Sequence, residues 1–397
     1  MNFVKKEISH FKNLPKKAQE LLISFFFYST AYPMISIFVN AFIWKNSNNI
    51  FYVIFFRAGQ FIILPISFLL TGLLLRRVKI SNLYFIGAIV ISVSSILTIF
   101  WKNETIIGFL LMGGLLGIGT GLYWANRSYL VMRETNDDNR SYFFGLLFSF
   151  TTLIGLVVTL FIGWSIVFGI SYQILTVMAF CLIFISGLII YRGDHDTPKI
   201  GSLFIFKSSY IWMRKRFIHF GIGLIDGIAF FLPGLLILTV IGNEGVLGTL
   251  TAVSSIFSTI LIYVYGRKSH SNDNKKYFVF STLLALLVSF LIAISYNKLT
   301  VIIYSLLNGL IMNFLWLTVS PQVLKNVDLE VGDIEGKRFS YVFDSELFLN
   351  LGRVVSLSVC LFIAYYFGTE YSLRFSPFIL SVFQVALFVY LEKWYNF

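Results

Sequence analysis

The chain has 397 residues, 57% hydrophobic and 13% charged, with a mean hydropathy of +0.81. Soluble domains carry about 25% charged residues, so this chain could not clothe a water-facing surface, whereas hydrocarbon asks for no such cover. The net charge is +12, but the basic residues sit in short clusters between apolar stretches. That is a topology pattern, and no nucleic acid is expected as a partner.

A membrane span needs about 20 mostly apolar residues. Reading along the chain gives twelve, at roughly 18–44, 50–75, 81–101, 105–131, 142–168, 170–191, 217–241, 246–265, 277–296, 299–322, 340–367 and 373–394. Only Phe168, Gly169 and Ile170 are left to turn the chain between the fifth and sixth. The first twenty residues are polar and basic, without the apolar core of a cleavable signal. An even number of spans puts both termini on one side.

Twenty-four Lys and Arg fall in the termini and alternate loops of one side, four in the loops of the other, and three arginines inside spans. The bias places both termini in the cytoplasm of a cell membrane, with lipid as the surrounding partner. The longest connection, from about Tyr191 to Phe217, begins polar (RGDHDTPKIGS) and continues basic and aromatic (LFIFKSSYIWMRKRF). The second part is expected to form an amphipathic helix on the inner leaflet. The expected domains are therefore residues 1–191, a linker 192–216, and residues 217–397.

The halves repeat weakly. Gly155-Leu-Val-Val-Thr-Leu160 in the fifth span recurs as Gly352-Arg-Val-Val-Ser-Leu357 in the eleventh, and Leu110-Leu-Met-Gly113 in the fourth as Leu306-Leu-Asn-Gly309 in the tenth. The nearly equal offsets argue for a duplicated six-helix unit. Gly113, Gly117 and Gly121 recur every four residues on the fourth span, a spacing for close helix packing.

Six plus six spans joined by a basic linker resemble the major facilitator superfamily over essentially the whole chain. Its signature after the second span is met in part by Gly72-Leu-Leu-Leu-Arg76-Arg77-Val-Lys79, where Arg76 replaces the acidic residue and Lys79 the second glycine. Residues 121–145 (GLYWANRSYLVMRETNDDNRSYFFG) resemble the fourth span and following loop of a bacterial subgroup for which no substrate is implied. The resemblance implies an all-α membrane protein of two pseudo-symmetric six-helix bundles that works as a secondary transporter. The Gly-Pro pair of the drug antiporters is absent from the fifth span, where Gly155-Leu156 stands.

Ionisable groups within spans are costly and face the bundle interior. Arg57 lies in the outer part of the second span with Gln60 one turn away, so it either lines the path or snorkels to the headgroups. Glu346, Asn350 and Arg353 form a polar stripe on the eleventh span. The resemblance sets Arg57 and Arg353 on opposing walls of a central cavity. Asp226 in the seventh span reads as a proton acceptor or as a fixed partner for Arg353. Trp124, Asn126 and Arg127 on the fourth could bind solute near the inner mouth, or anchor the helix end. Arg76, Arg77 and Arg140 read as a cytoplasmic gate or as solvated loop residues.

Cys181 and Cys360 lie inside apolar stretches, and the four histidines have no metal spacing. No nucleotide loop or catalytic constellation is visible, so no cofactor, metal or enzymatic activity is expected. The expected function is movement of a small organic solute, anionic or zwitterionic, by a monomer coupled to protons. A multidrug or amphiphile exporter and a non-transporting sensor or scaffold stand as alternatives.

Overall fold

The computed structural model describes residues 11–101, 105–135, 140–197, 200–268, 274–331 and 335–395. Twelve long helices run through them: α1 Lys16–Ser47, α2 Ile50–Leu74, α3 Ile80–Phe100, α4 Ile106–Glu134, α5 Arg140–Val167, α6 Tyr172–Arg192, α7 Tyr210–Val240, α8 Glu244–Lys268, α9 Asn274–Ile294, α10 Lys298–Val331, α11 Arg338–Phe367 and α12 Thr369–Tyr395. Eleven are long and apolar enough to cross a membrane, and α8 contributes the shorter apolar stretch Glu244–Ile260. The chain is a multi-pass membrane protein. With twelve helices in succession, the start of α1 at Lys16 and the end of α12 at Tyr395 fall on one face of the bundle, here called the terminal face; the other is the far face.

Four turns of the far face reveal the repeat. The α5–α6 and α11–α12 turns use Gly169 and Gly368 at φ +94° and +98°, and the α1–α2 and α7–α8 turns use Asn48 and Gly242 at φ +48° and +80°. Each pair is equivalent under a six-helix repeat, and each reverses the chain through the left-handed region that suits Gly and Asn. Two helices are interrupted. Pro33 precedes a π-helical stretch, Met34–Phe38, within α1. In α7 the chain breaks at Phe230–Phe231 before Pro233, which sits in the first turn of the second segment, Leu232–Val240.

Glycine governs which helices touch. A Cβ on Gly117 would stand 2.6 Å from the Gln60 carbonyl, and one on Gly121 2.6 Å from Ser67 Cβ, so α4 lies backbone-close against α2. In the second half Gly227 fits against Arg353 Cα, where a Cβ would stand at 2.9 Å, locking α7 to α11. The halves meet through α2 with α11, α5 with α8, and α1 with the second segment of α7. Helices α3 and α6 pack mainly within the first half and α9 and α12 within the second. Large apolar side chains such as Ile66, Leu111, Leu153, Phe362 and Phe383 point outward, as a lipid-facing surface requires.

The linker departs from expectation. Residues 202–209 form bends and irregular chain rather than an amphipathic helix, and Tyr210–Arg216 are the opening turns of α7. Ser209 caps that helix by accepting from the Trp212 amide at 3.1 Å. Trp212 is fully buried with Nε1 donating to Asp344 at 2.7 Å, and Arg216 binds the same carboxylate through Nε and Nη2 at 2.7 and 2.8 Å. Trp212 and Arg216, two of the residues that suggested a leaflet-lying helix, are instead spent on α11.

Candidate functional site

Arg57 is 1% exposed, so it turns into the protein rather than snorkelling. Its acceptors are all neutral: Nε donates to Asn40 Oδ1 (2.9 Å), Nη1 to Gln60 Oε1 (2.6 Å), and Nη2 to the carbonyls of Ser36 (2.9 Å) and Ile35 (3.5 Å). Both carbonyls belong to the π-helical stretch of α1. Such a widened turn departs from the regular α-helical ladder, and here it presents oxygens to a guanidinium. The Ser36 carbonyl also accepts from Asn40 Nδ2 at 3.0 Å. Hydrogen bonds to a charged group contribute roughly 1.5–3 kcal/mol each, so this cradle holds a buried cation without a carboxylate.

Arg353 is held differently. Its Nε and Nη2 both stand 2.6 Å from Asp226 Oδ2, and Nη1 donates to Asn350 Oδ1 at 3.1 Å. Trp316 Nε1 reaches Asp226 Oδ1 at 3.5 Å. Of the two readings of Asp226, the geometry is that of the fixed partner. Glu346 has no cation in hydrogen-bond or ion-pair contact among the described residues. Its carboxylate meets only Asn350 Nδ2, at 3.4 Å, and lies within electrostatic reach of Arg353 and Asp226.

The two arginines converge on one ring. The Phe230 centroid is 5.6 Å from the Arg57 guanidinium carbon and 5.3 Å from that of Arg353, which also lies 5.0 Å from the Phe61 centroid. Tyr32, on α1, is within electrostatic reach of Arg57, Asp226, Arg353 and Arg127. The seam thus runs from α2 through α1 and α7 to α11, with Arg127 at its α4 end.

Arg127 is partly buried with its guanidinium carbon 4.3 Å from the Phe25 ring centroid and 4.2 Å from that of Trp124. It makes no hydrogen bond or ion pair among the described residues. Asn126 does not join it: it is fully buried and donates to the Leu122 carbonyl at 2.7 Å. Behind Trp124, Tyr28 stacks on Tyr123 at 4.3 Å, and the Tyr123 hydroxyl meets that of Tyr84 at 2.7 Å. Tyr84 in turn pairs with Ser24 at 2.8 Å. This network ties α1, α3 and α4 into a rigid wall.

Both ends of the seam are closed. On the far face Lys45 of α1 pairs with Glu244 of α8, whose carboxylate also accepts from the Tyr172 hydroxyl at 3.0 Å. Nearby, Asn40 Nδ2 donates to the Phe230 carbonyl at 2.9 Å. On the terminal face Phe68 of α2 packs on Phe339 and Phe343 of α11, with centroids at 5.6 and 6.3 Å. Arg76 donates to the Gly201 carbonyl at 2.9 Å, and the Gly201 amide donates to Gly336, so one expected gate arginine does bind the linker. Arg77 is exposed without a partner among the described residues, and the side chain of Arg140 lies outside them.

The sequence reading missed Asn40, Tyr32, Phe230 and the Lys45–Glu244 pair. Glu244 lies between the predicted spans and Lys45 just beyond the first, and only the approach of the end of α1 to the start of α8 joins them. A polar Asn two turns after a Pro within the span was the available signal for the cradle.

No family model matches the chain. It is 25% identical over 380 residues to the uncharacterized protein YqgE of Bacillus subtilis (strain 168), covering 92% of this chain and 86% of that one. An uncharacterized protein in the sodM 3′ region of Geobacillus stearothermophilus is 25% identical over 138 residues, 32% of this chain and 62% of its own. Among solved structures, a POT family transporter in complex with a thioalcohol-conjugated peptide aligns with TM-score 0.70 at 13% identity, over 96% of this chain and 99% of that one. The D-xylose–proton symporter gives 0.66 at 12% identity, over 92% and 96%. The human organic anion transporter TETRAN gives 0.63 at 11%, over 94% and 99%. The chain therefore has the major facilitator fold: twelve helices in two six-helix halves.

Proposed function

We propose that this protein is a secondary transporter that moves a small organic solute across the cytoplasmic membrane by alternating access. The observation that carries the reading is the buried charged seam where the halves meet, centred on Arg57 and Arg353 around Phe230. Charges are costly inside a membrane and are retained where they bind, couple or gate. The closures on either face are small and polar or aromatic, of the kind that rocking halves can break and remake.

Within the seam, Arg57, Arg127 and Arg353 outnumber Asp226 and Glu346, which favours a solute carrying negative charge. Asp226 is engaged by Arg353, so Glu346 is the carboxylate free to exchange a proton, and an imposed proton gradient supplies the energy. Lys and Arg bias puts the terminal face in the cytoplasm.

Reconstitution tests this. Purified protein in proteoliposomes with an imposed pH gradient should accumulate or expel a member of an anionic and zwitterionic solute panel, and Glu346→Gln should uncouple movement from the gradient. Flux through neither the wild type nor any variant, with folded protein, would remove the transport reading.

A further inference from the structure

We infer that the solute is a zwitterion, held with its anionic group at Arg127 and its cationic group at Glu346; this rests on the transport reading. The argument comes from which charges are already satisfied. Arg57 has every nitrogen engaged by oxygens of Asn40, Gln60, Ser36 and Ile35. Arg353 and Asp226 are spent on each other, and Asn350 takes the remaining nitrogen of Arg353.

Two charges are left over, and they are opposite. Arg127 on α4 has aromatic rings beside its guanidinium but no hydrogen bond or ion pair among the described residues. A guanidinium held against Phe25 and Trp124 is fixed in orientation, which suits a carboxylate or phosphate better than a free-swinging lysine would. Glu346 on α11 has only the weak contact to Asn350. One charge belongs to the first half and the other to the second.

That division has a mechanical meaning. A solute with both charges bridges the halves and favours the state in which they close around it. A simple anion reaches only Arg127 and leaves Glu346 unsatisfied; a simple cation does the reverse. Tyr32 is within electrostatic reach of Arg127 and of the Arg353–Asp226 pair, and Glu346 is within reach of that same pair. On the same helix Tyr32, half-buried, stacks on the buried Tyr28 at 5.6 Å.

The test uses the full chain in detergent and reads ligand-induced thermal stabilisation. The probes are glycine, 4-aminobutyrate, 6-aminohexanoate and diglycine, which vary the charge separation, beside butyrate and butylamine as single-charge controls. At least one zwitterion should stabilise the protein at a concentration tenfold or more below either control. Arg127→Gln and Glu346→Gln should each abolish that difference, with their melting temperatures before ligand addition reporting folding. Arg127→Lys, which keeps the charge, should restore part of it.

Butyrate or butylamine acting as well as every zwitterion, or both variants retaining the wild-type preference, would overturn the assignment. So would a series in which no zwitterion stabilises the protein. Flux of a simple anion in proteoliposomes would then leave transport standing without this substrate class. Zwitterion binding without flux would keep the site and discard transport.

Discussion

Arg353 and Asp226 stand 2.6 Å apart across the α7–α11 contact, both within the second half of the molecule. An ion pair internal to one half cannot be broken by rocking the halves, so it fixes Arg353 rather than gating the path. Removing one partner of a buried pair costs about 3–5 kcal/mol, whereas replacing both with neutral residues is often tolerated. Asp226→Asn should therefore lower the melting temperature markedly, and Asp226→Asn with Arg353→Gln should recover most of the loss. Thermal unfolding in detergent checks this; a single mutant as stable as the wild type would show that the pair is not what holds Arg353.

Arg57 should behave as a structural cation with an electrostatic role. Arg57→Ala strands Asn40 Oδ1, Gln60 Oε1 and the Ser36 carbonyl, each at a cost of about 1–3 kcal/mol if left unsatisfied. Arg57→Lys keeps the charge but lacks the planar fork that meets these acceptors in several directions. The expected order of stability is wild type, Lys, then Ala, measured by melting temperature. Equal stability of Arg57→Ala and wild type would mean water fills the cradle without penalty.

The far-face closure depends on small residues as well as on Lys45 and Glu244. A Cβ on Gly163 would stand 2.5 Å from the Glu244 carbonyl and 3.0 Å from Gly248 Cα. Gly163→Leu should wedge α5 from α8 and leave the far face open. A cysteine at Asn40, in a Cys181→Ser and Cys360→Ser background, should then react faster with a membrane-impermeant maleimide added from that side. An unchanged labelling rate would place the closure elsewhere.

At the terminal face the start of the linker docks on α1 and α4. The His195 side chain is fully buried, with Nδ1 3.3 Å from Glu134 and Nε2 3.6 Å from Glu20. Its neighbour Asp196 is exposed and pairs with Lys17 at 3.2 Å, which holds the carboxyl below the usual carboxylate range. A lowered value means that this contribution is present above the unfolded-state pKa, near 4, and is lost as pH falls through the folded-state value. Solvent screens the pair, so Asp196→Asn should leave the melting temperature at pH 7 unchanged. His195→Ala should lower it, consistent with a loss of about 1–3 kcal/mol for buried polar groups left without partners. Equal effects of the two would contradict the burial of His195.

Much of this was legible in sequence because it follows from period and composition. Twenty-residue apolar stretches, the Gly113, Gly117 and Gly121 spacing, and the Gly155 and Gly352 repeats are local signals of spans, close packing and duplication. The polar stripe of Glu346, Asn350 and Arg353 is a helical-face argument and is realised in the contacts between these side chains. What could not be read was tertiary. Which of its two roles Asp226 takes, that the π-helical stretch after Pro33 would cradle Arg57, and that Lys45 would meet Glu244 all depend on contacts between different helices. The linker misled because an aromatic and basic segment serves equally for a membrane surface and for pairing with a buried acid, here Asp344.

The claim at the centre is that one buried seam opens to each face in turn. A single cysteine at Tyr32, in the Cys181→Ser and Cys360→Ser background, can be probed with impermeant maleimide from either side of sealed, oriented vesicles. Labelling should proceed from both sides, and locking the far face by disulfide crosslinking of cysteines placed at its α5–α8 contact should abolish it from that side alone. Access from one side only under every condition, or no effect of the lock, would contradict alternating access through this seam.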